Sequence, residues 1–107
     1  MRFFIRATMP VDVGNELVSD PDFGQTMKKI VEDLKPEEVY YSVEFGQRTI
    51  YFVVNVKHSH EIPSKAEPLW QALAADVDFI PVMNQKEFAK AAPSLARAVK
   101  KHGFDLE

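Results

Sequence analysis

The spacing of apolar residues changes several times along the chain, and each change marks an element. Phe3, Ile5, Ala7 and Met9 alternate with Phe4, Arg6 and Thr8, the period of two that a half-buried strand shows. Pro10 ends this first strand. Residues 11–35 switch to helical spacing in two pieces. The first covers about Val11 to Val18. Ser19-Asp20-Pro21 then restarts the helix, with Asp20 as cap and Pro21 at the first helical position. In the second piece Phe23, Met27, Ile30, Val31 and Leu34 make one apolar stripe. Lys28, Lys29, Glu32 and Asp33 take the wet face, and Pro36 stops the helix near Leu34.

Glu38 to Phe45 and Arg48 to Lys57 read as the second and third strands. Gly46-Gln47 between them suits a two-residue hairpin turn, with glycine supplying the positive φ. The third strand is the most β-prone stretch of the chain, and its near-continuous apolarity calls for neighbours on both sides. Residues 58–63 form a polar loop. A further helix runs to about Ala75, with Leu69, Trp70 and Leu73 on its core side. Pro68 belongs at the first turn of its main part, after an irregular lead-in from Ile62. Val77 to Met83 is the fourth strand, and Pro81 sends it to an edge because proline cannot donate to a ladder. Asn84 with Glu87 spells a capping box for a last helix. Pro93 divides that helix and Gly103 stops it.

The order is β-α-β-β-α-β plus a C-terminal helix. Right-handed crossovers place the third strand between the first and second, and the first between the third and fourth. The result is an α+β fold of the ferredoxin-like kind, an antiparallel sheet in the order 4-1-3-2, in one domain over residues 1–107. Helices cover one face. Phe3, Ile5, Ala7, Val39, Tyr41, Val43, Ile50, Phe52, Val54 and Val56 belong to that side. The opposite face carries Phe4, Arg6, Thr8, Tyr40, Ser42, Glu44, Thr49, Tyr51, Val53 and Asn55. It is too apolar for water and too polar for an ordinary core. Two such sheets packed face to face in a two-fold dimer would resolve the conflict.

Composition narrows the classes. With 107 residues, 46% of them hydrophobic, the chain has the size and apolar content of one self-sufficient domain. The absence of cysteine excludes a disulfide framework, a thiol nucleophile and cysteine-ligated metals, and fits a reducing, cytoplasmic compartment. The run Phe3-Phe4-Ile5 is broken at Arg6, too short for a signal segment. No apolar run approaches the roughly 20 residues that span a bilayer, so no membrane role is expected. A net charge of −3 disfavours a nucleic-acid partner. Arg97, Lys100, Lys101 and His102 cluster at the end of the last helix, where cations complement the helix dipole.

The element order and lengths, with Lys35-Pro36-Glu37 leading into the second strand and Phe79-Ile80-Pro81-Val82-Met83-Asn84 closing the fourth, resemble the dimeric α+β barrel group of small proteins. That group includes muconolactone-isomerase-like enzymes, cofactor-free oxygenases and uncharacterised bacterial families. The resemblance implies a homodimer with a pocket between sheet and helices or between the two sheets; separately, no cofactor is expected.

Candidate chemistry centres on Arg6 and Glu44. A charge on a mostly covered face must be paired or bind a ligand. Arg6 would hold a carboxylate and Glu44 would act as a base if its pKa were raised; the plainer reading is either a cross-sheet ion pair or a solvated barrel rim. The two sit on strands that are not neighbours, with Tyr51 or Asn55 between them. Tyr40, Tyr51, Asn55 and Ser42 would orient a small oxygenated ligand, or serve as dimer contacts. His58 and His60, at i and i+2, could face one metal, but they follow the end of the third strand and lack a third ligand, so a solvated loop and no metal are expected. Trp70 reads as core, and Met9, Met27 and Met83 as packing. No glycine-rich phosphate loop or nucleophile elbow is present. Two functions fit this set. One is a cofactor-independent isomerase or oxygenase acting on a small organic acid, which requires Arg6, Tyr40, Glu44, Tyr51 and Asn55 to line one enclosed cavity. The other is a non-catalytic dimeric module that binds a metabolite or a protein partner.

Overall fold

The computed structural model describes residues 1–104; the last three residues of the expected domain lie outside them. The elements are β1 (Arg2–Thr8), α1 (Val11–Ser19), α2 (Phe23–Leu34), β2 (Glu38–Glu44), β3 (Gln47–Asn55), α3 (Glu61–Leu73), β4 (Asp76–Pro81), α4 (Gln85–Ala89) and α5 (Ala92–His102). The four strands make one antiparallel sheet in the order β2-β3-β1-β4, the expected 4-1-3-2 read from the other edge. The β-prone β3 is flanked on both sides. β4 lies on an edge, and Pro81 is its last paired residue, opposite Phe3.

Alternation decides which side chains are buried. Ile5 and Ala7 of β1 lie opposite Phe52 and Ile50 of β3, and all four are buried with Val54. From above, α2 adds Met27, Ile30 and Leu34, and α3 adds Leu69 and Leu73. Each such side chain contributes roughly 1.5–3 kcal/mol through loss of contact with water. The Lys65 ammonium donates to the Leu34 carbonyl at 3.2 Å, which ties α3 to the C-terminal end of α2, where a cation is favoured.

Several local details differ from the sequence expectation. Pro21 does not open α2; it lies in a turn one step earlier. The Asp20 carboxylate accepts from the Asp22 N–H at 2.8 Å, an Asx turn that satisfies the aspartate before the helix begins. The hairpin turn is Phe45-Gly46, with Glu44 paired to Gln47. Both turn residues have positive φ, 51° and 76°, the geometry of the tight turn that matches strand twist. α3 is continuous from Glu61, with Pro68 in its interior. Its start is fixed by the Glu61 carboxylate, which accepts from the His58 N–H at 2.6 Å. Asn84 and Glu87 do form the capping box of α4, and Pro93 stands near the start of α5.

The helical layer does not reach the full width of the sheet. Tyr41 and Val43 of β2 point to the helix side by parity, yet are 65% and 67% exposed. Trp70 and Val31, expected in the core, are also exposed, because α2 and α3 turn these positions away from the sheet. Neither α4 nor α5 buries a residue. The radius of gyration is 18.4 Å and the long axis 64 Å, against about 13 Å for a compact chain of this length. The C-terminal helices therefore form an arm that projects from the body.

Candidate functional site

The face of the sheet opposite the helices carries a polar cluster centred on Arg6. Strand pairing sets Arg6 opposite Asp78 on one side and Tyr51 on the other. Tyr51 in turn lies opposite Tyr40. The guanidinium donates to Asp78 Oδ2 from Nη2 at 2.9 Å and from Nε at 3.2 Å. Its Nε also lies 3.4 Å from Glu44 Oε2. Arg6 thus bridges β4 to β2 across β3, which the length of its side chain permits. The side chains are 34% (Arg6), 29% (Glu44) and 55% (Asp78) exposed.

The protonation states follow from these contacts. The hydrogen bond to Asp78, assisted by the charges of Glu44 and Asp78, raises the Arg6 pKa and keeps it a cation. The Tyr51 hydroxyl is raised above 10.0, first by donating to Glu44 and then by partial burial, so it remains a neutral donor at physiological pH. One cation thereby serves two carboxylates, and the cluster carries a net negative charge. Beside it the rings of Phe4 and Tyr51 stack with centroids 4.8 Å apart and planes 20° from parallel. Thr49 is buried on the same face, and its hydroxyl donates to the Gln47 carbonyl.

Of the sequence candidates, the structure brings together Arg6, Glu44 and Tyr51. Tyr40 adjoins them by register but is exposed. Asn55 does not join them. It sits at the far end of β3, where its side-chain carbonyl accepts from the Met1 amino group at 3.0 Å. The five residues therefore do not ring one enclosed cavity in the single chain. Surface hollows of about 140–300 Å³ are lined by other residues. Asp78, the nearest partner of Arg6, was legible in principle: extending the alternation of the fourth strand places Asp76 and Asp78 on the same face as Arg6.

The His58 and His60 rings stack, with centroids 5.4 Å apart, in the exposed loop before α3. Among the described residues no three His, Cys, Asp or Glu side chains gather as a metal site. No described helix is long and apolar enough to cross a membrane. No protein-family model matches the chain, and neither a curated protein nor a solved structure does.

Proposed function

We propose that the chain is a non-catalytic, homodimeric ferredoxin-like module whose open sheet face is its self-association surface, in the manner of the dimeric α+β barrels that its element order resembles. The observation that carries this reading is the pairing of the Arg6 charge with two carboxylates. A residue meant to seize an organic acid needs a free guanidinium, and this one is already shared between Asp78 and Glu44. An incoming carboxylate would meet two anions around one cation. Glu44 lies against the same guanidinium at 3.4 Å, so it too is already paired. The same groups suit an interface: Phe4, Tyr51, Val53 and Ile80 supply apolar area, and the charged cluster fixes the register of the two sheets.

The isomerase or oxygenase reading requires Arg6 to leave Asp78 when substrate binds. Two measurements separate the readings. Light scattering should give twice the 12.2 kDa chain mass at micromolar concentration; a persistent monomer would refute the module. Small mono- and dicarboxylic acids, titrated while amide NMR shifts are followed, should leave the Arg6 and Glu44 surroundings unmoved. Saturable shifts confined to Arg6, Glu44 and Tyr51 would favour the enzyme.

A further inference from the structure

We infer that the C-terminal arm is a clasp for a second copy of this chain, seated on the uncovered outer part of the partner's β2. This rests on the face-to-face pairing proposed above and adds the element that closes it.

The arm is built to be covered. Phe88, Ala92, Leu95 and Val99 recur at spacings of four, three and four, which makes one apolar stripe across α4 and α5. Phe88, Leu95 and Val99 are all exposed, and no residue of either helix is buried. An isolated 11-residue helix is marginal in water without packing, so the stripe calls for a surface.

The body carries a matching vacancy. Tyr41 and Val43 of β2 and Val18 of α1 are exposed, and they adjoin a mostly apolar groove of about 200 Å³ that runs in to Met9, Phe23 and Ile50. Charge fits as well. Residues 1–84 hold eight basic and thirteen acidic side chains, net −5, whereas residues 85–104 hold five basic and one acidic, net +4. Glu16, Asp20 and Asp22, close in sequence to the groove residues Val18 and Phe23, are exposed. Arg48, the cation at its rim, is held by the Asn15 side chain at 3.0 Å.

Geometry assigns the seat to the partner rather than to the arm's own body. The arm leaves β4, at the edge opposite β2, and in the single chain none of its helical residues is buried against that groove or any other surface. Its root is held at the open face, where Arg2, in phase with Phe4 and Arg6, pairs with Glu87 at 3.3 Å. A two-fold axis parallel to the strands stacks the β4 of each copy over the β2 of the other, so each arm emerges at the Glu38 end of the partner's β2 edge and must turn back along that strand to reach Tyr41 and Val43.

The chain has no cysteine, so introduced thiols report contacts without background. Val43→Cys and Leu95→Cys chains, mixed and mildly oxidised, should give a cross-linked pair well above the level of either variant alone. A Leu95→Glu/Val99→Glu chain should keep its circular dichroism and associate at least about tenfold more weakly. A disulfide within one chain of the Val43→Cys/Leu95→Cys double variant would overturn the proposal. So would a dimer by light scattering that gives no mixed cross-link, which leaves sheet pairing intact. A monomer would overturn both.

Discussion

Phe52 and Phe4 are the same residue type on neighbouring strands, on opposite faces of one sheet, and their truncation separates the two layers by experiment. Phe52 is fully buried at the centre, opposite Ile5 and Val39. Replacing it with alanine removes a phenyl ring and leaves a cavity walled by a rigid sheet, which costs about 3–5 kcal/mol. For a domain near 100 residues that lowers the melting temperature by roughly 12–20 °C, at about 4 °C per kcal/mol. Phe4 is half-buried and stacks on Tyr51. In the free chain Phe4→Ala should cost only about 1 kcal/mol, the stacking plus a partial loss of burial. The assay is thermal unfolding by circular dichroism from 1 to 200 μM, a range of about 10²-fold that brackets ordinary association. Phe52→Ala should destabilise at every concentration. Phe4→Ala should approach the parent at the dilute end and fall behind it at the concentrated end, because only there does a second sheet cover the ring. A Phe4→Ala deficit as large as that of Phe52→Ala in the dilute chain would refute the assignment of faces. A deficit that does not grow with concentration would refute the covering of the open face.

Other outcomes follow from particular contacts. Arg6→Ala leaves Glu44 and Asp78 without their cation; association should weaken at least about tenfold, as sedimentation velocity would show. Gly46→Ala places a side chain at φ 76° and should cost about 1 kcal/mol, whereas Phe45→Asn, in the left-handed region at φ 51°, should stabilise the hairpin in urea unfolding. The Glu61 carboxyl is held below its ordinary 4.5, chiefly by the His58 N–H. Its contribution is therefore full above that value and is lost as pH falls through the lower folded value; Glu61→Gln should flatten this acid limb of the stability curve.

The strand order could be read from the sequence because a few strong signals agreed: the apolar run of β3, Pro81 in β4, and the alternation of β1. Local boundaries were less legible. Asp20 and Asp22 compete for the same helix start, and only the backbone decides which one caps. Gly46 marks a turn but does not say whether it stands first or second in it; Phe45 accepting positive φ is a choice made by the strand pairing around it. Pro68 inside α3 defies local preference, since burial of Ala66, Leu69 and Leu73 on one side outweighs one lost hydrogen bond. Arg6 and Glu44 were legible as residents of one face and as a cross-sheet ion pair, which forms at 3.4 Å; the stronger partner, Asp78, shows only when the fourth strand's alternation is carried across to Arg6. The projection of the arm left only a faint sign, an apolar stripe in a helix that the four-stranded core does not need.

Arg2 gathers distant parts of the chain at one corner. It pairs with Glu37, before β2, and with Glu87, in α4, each at 3.3 Å, and the same Glu87 oxygen accepts from the Asn84 N–H that closes the capping box. These bonds lie in water, so dissolved ions compete with them: the screening distance shrinks from about 10 Å at 0.1 M salt to about 3 Å at 1 M. Brine would therefore loosen the shoulder from which the last two helices swing while leaving the greasy layer beneath α2 and α3 tighter than before.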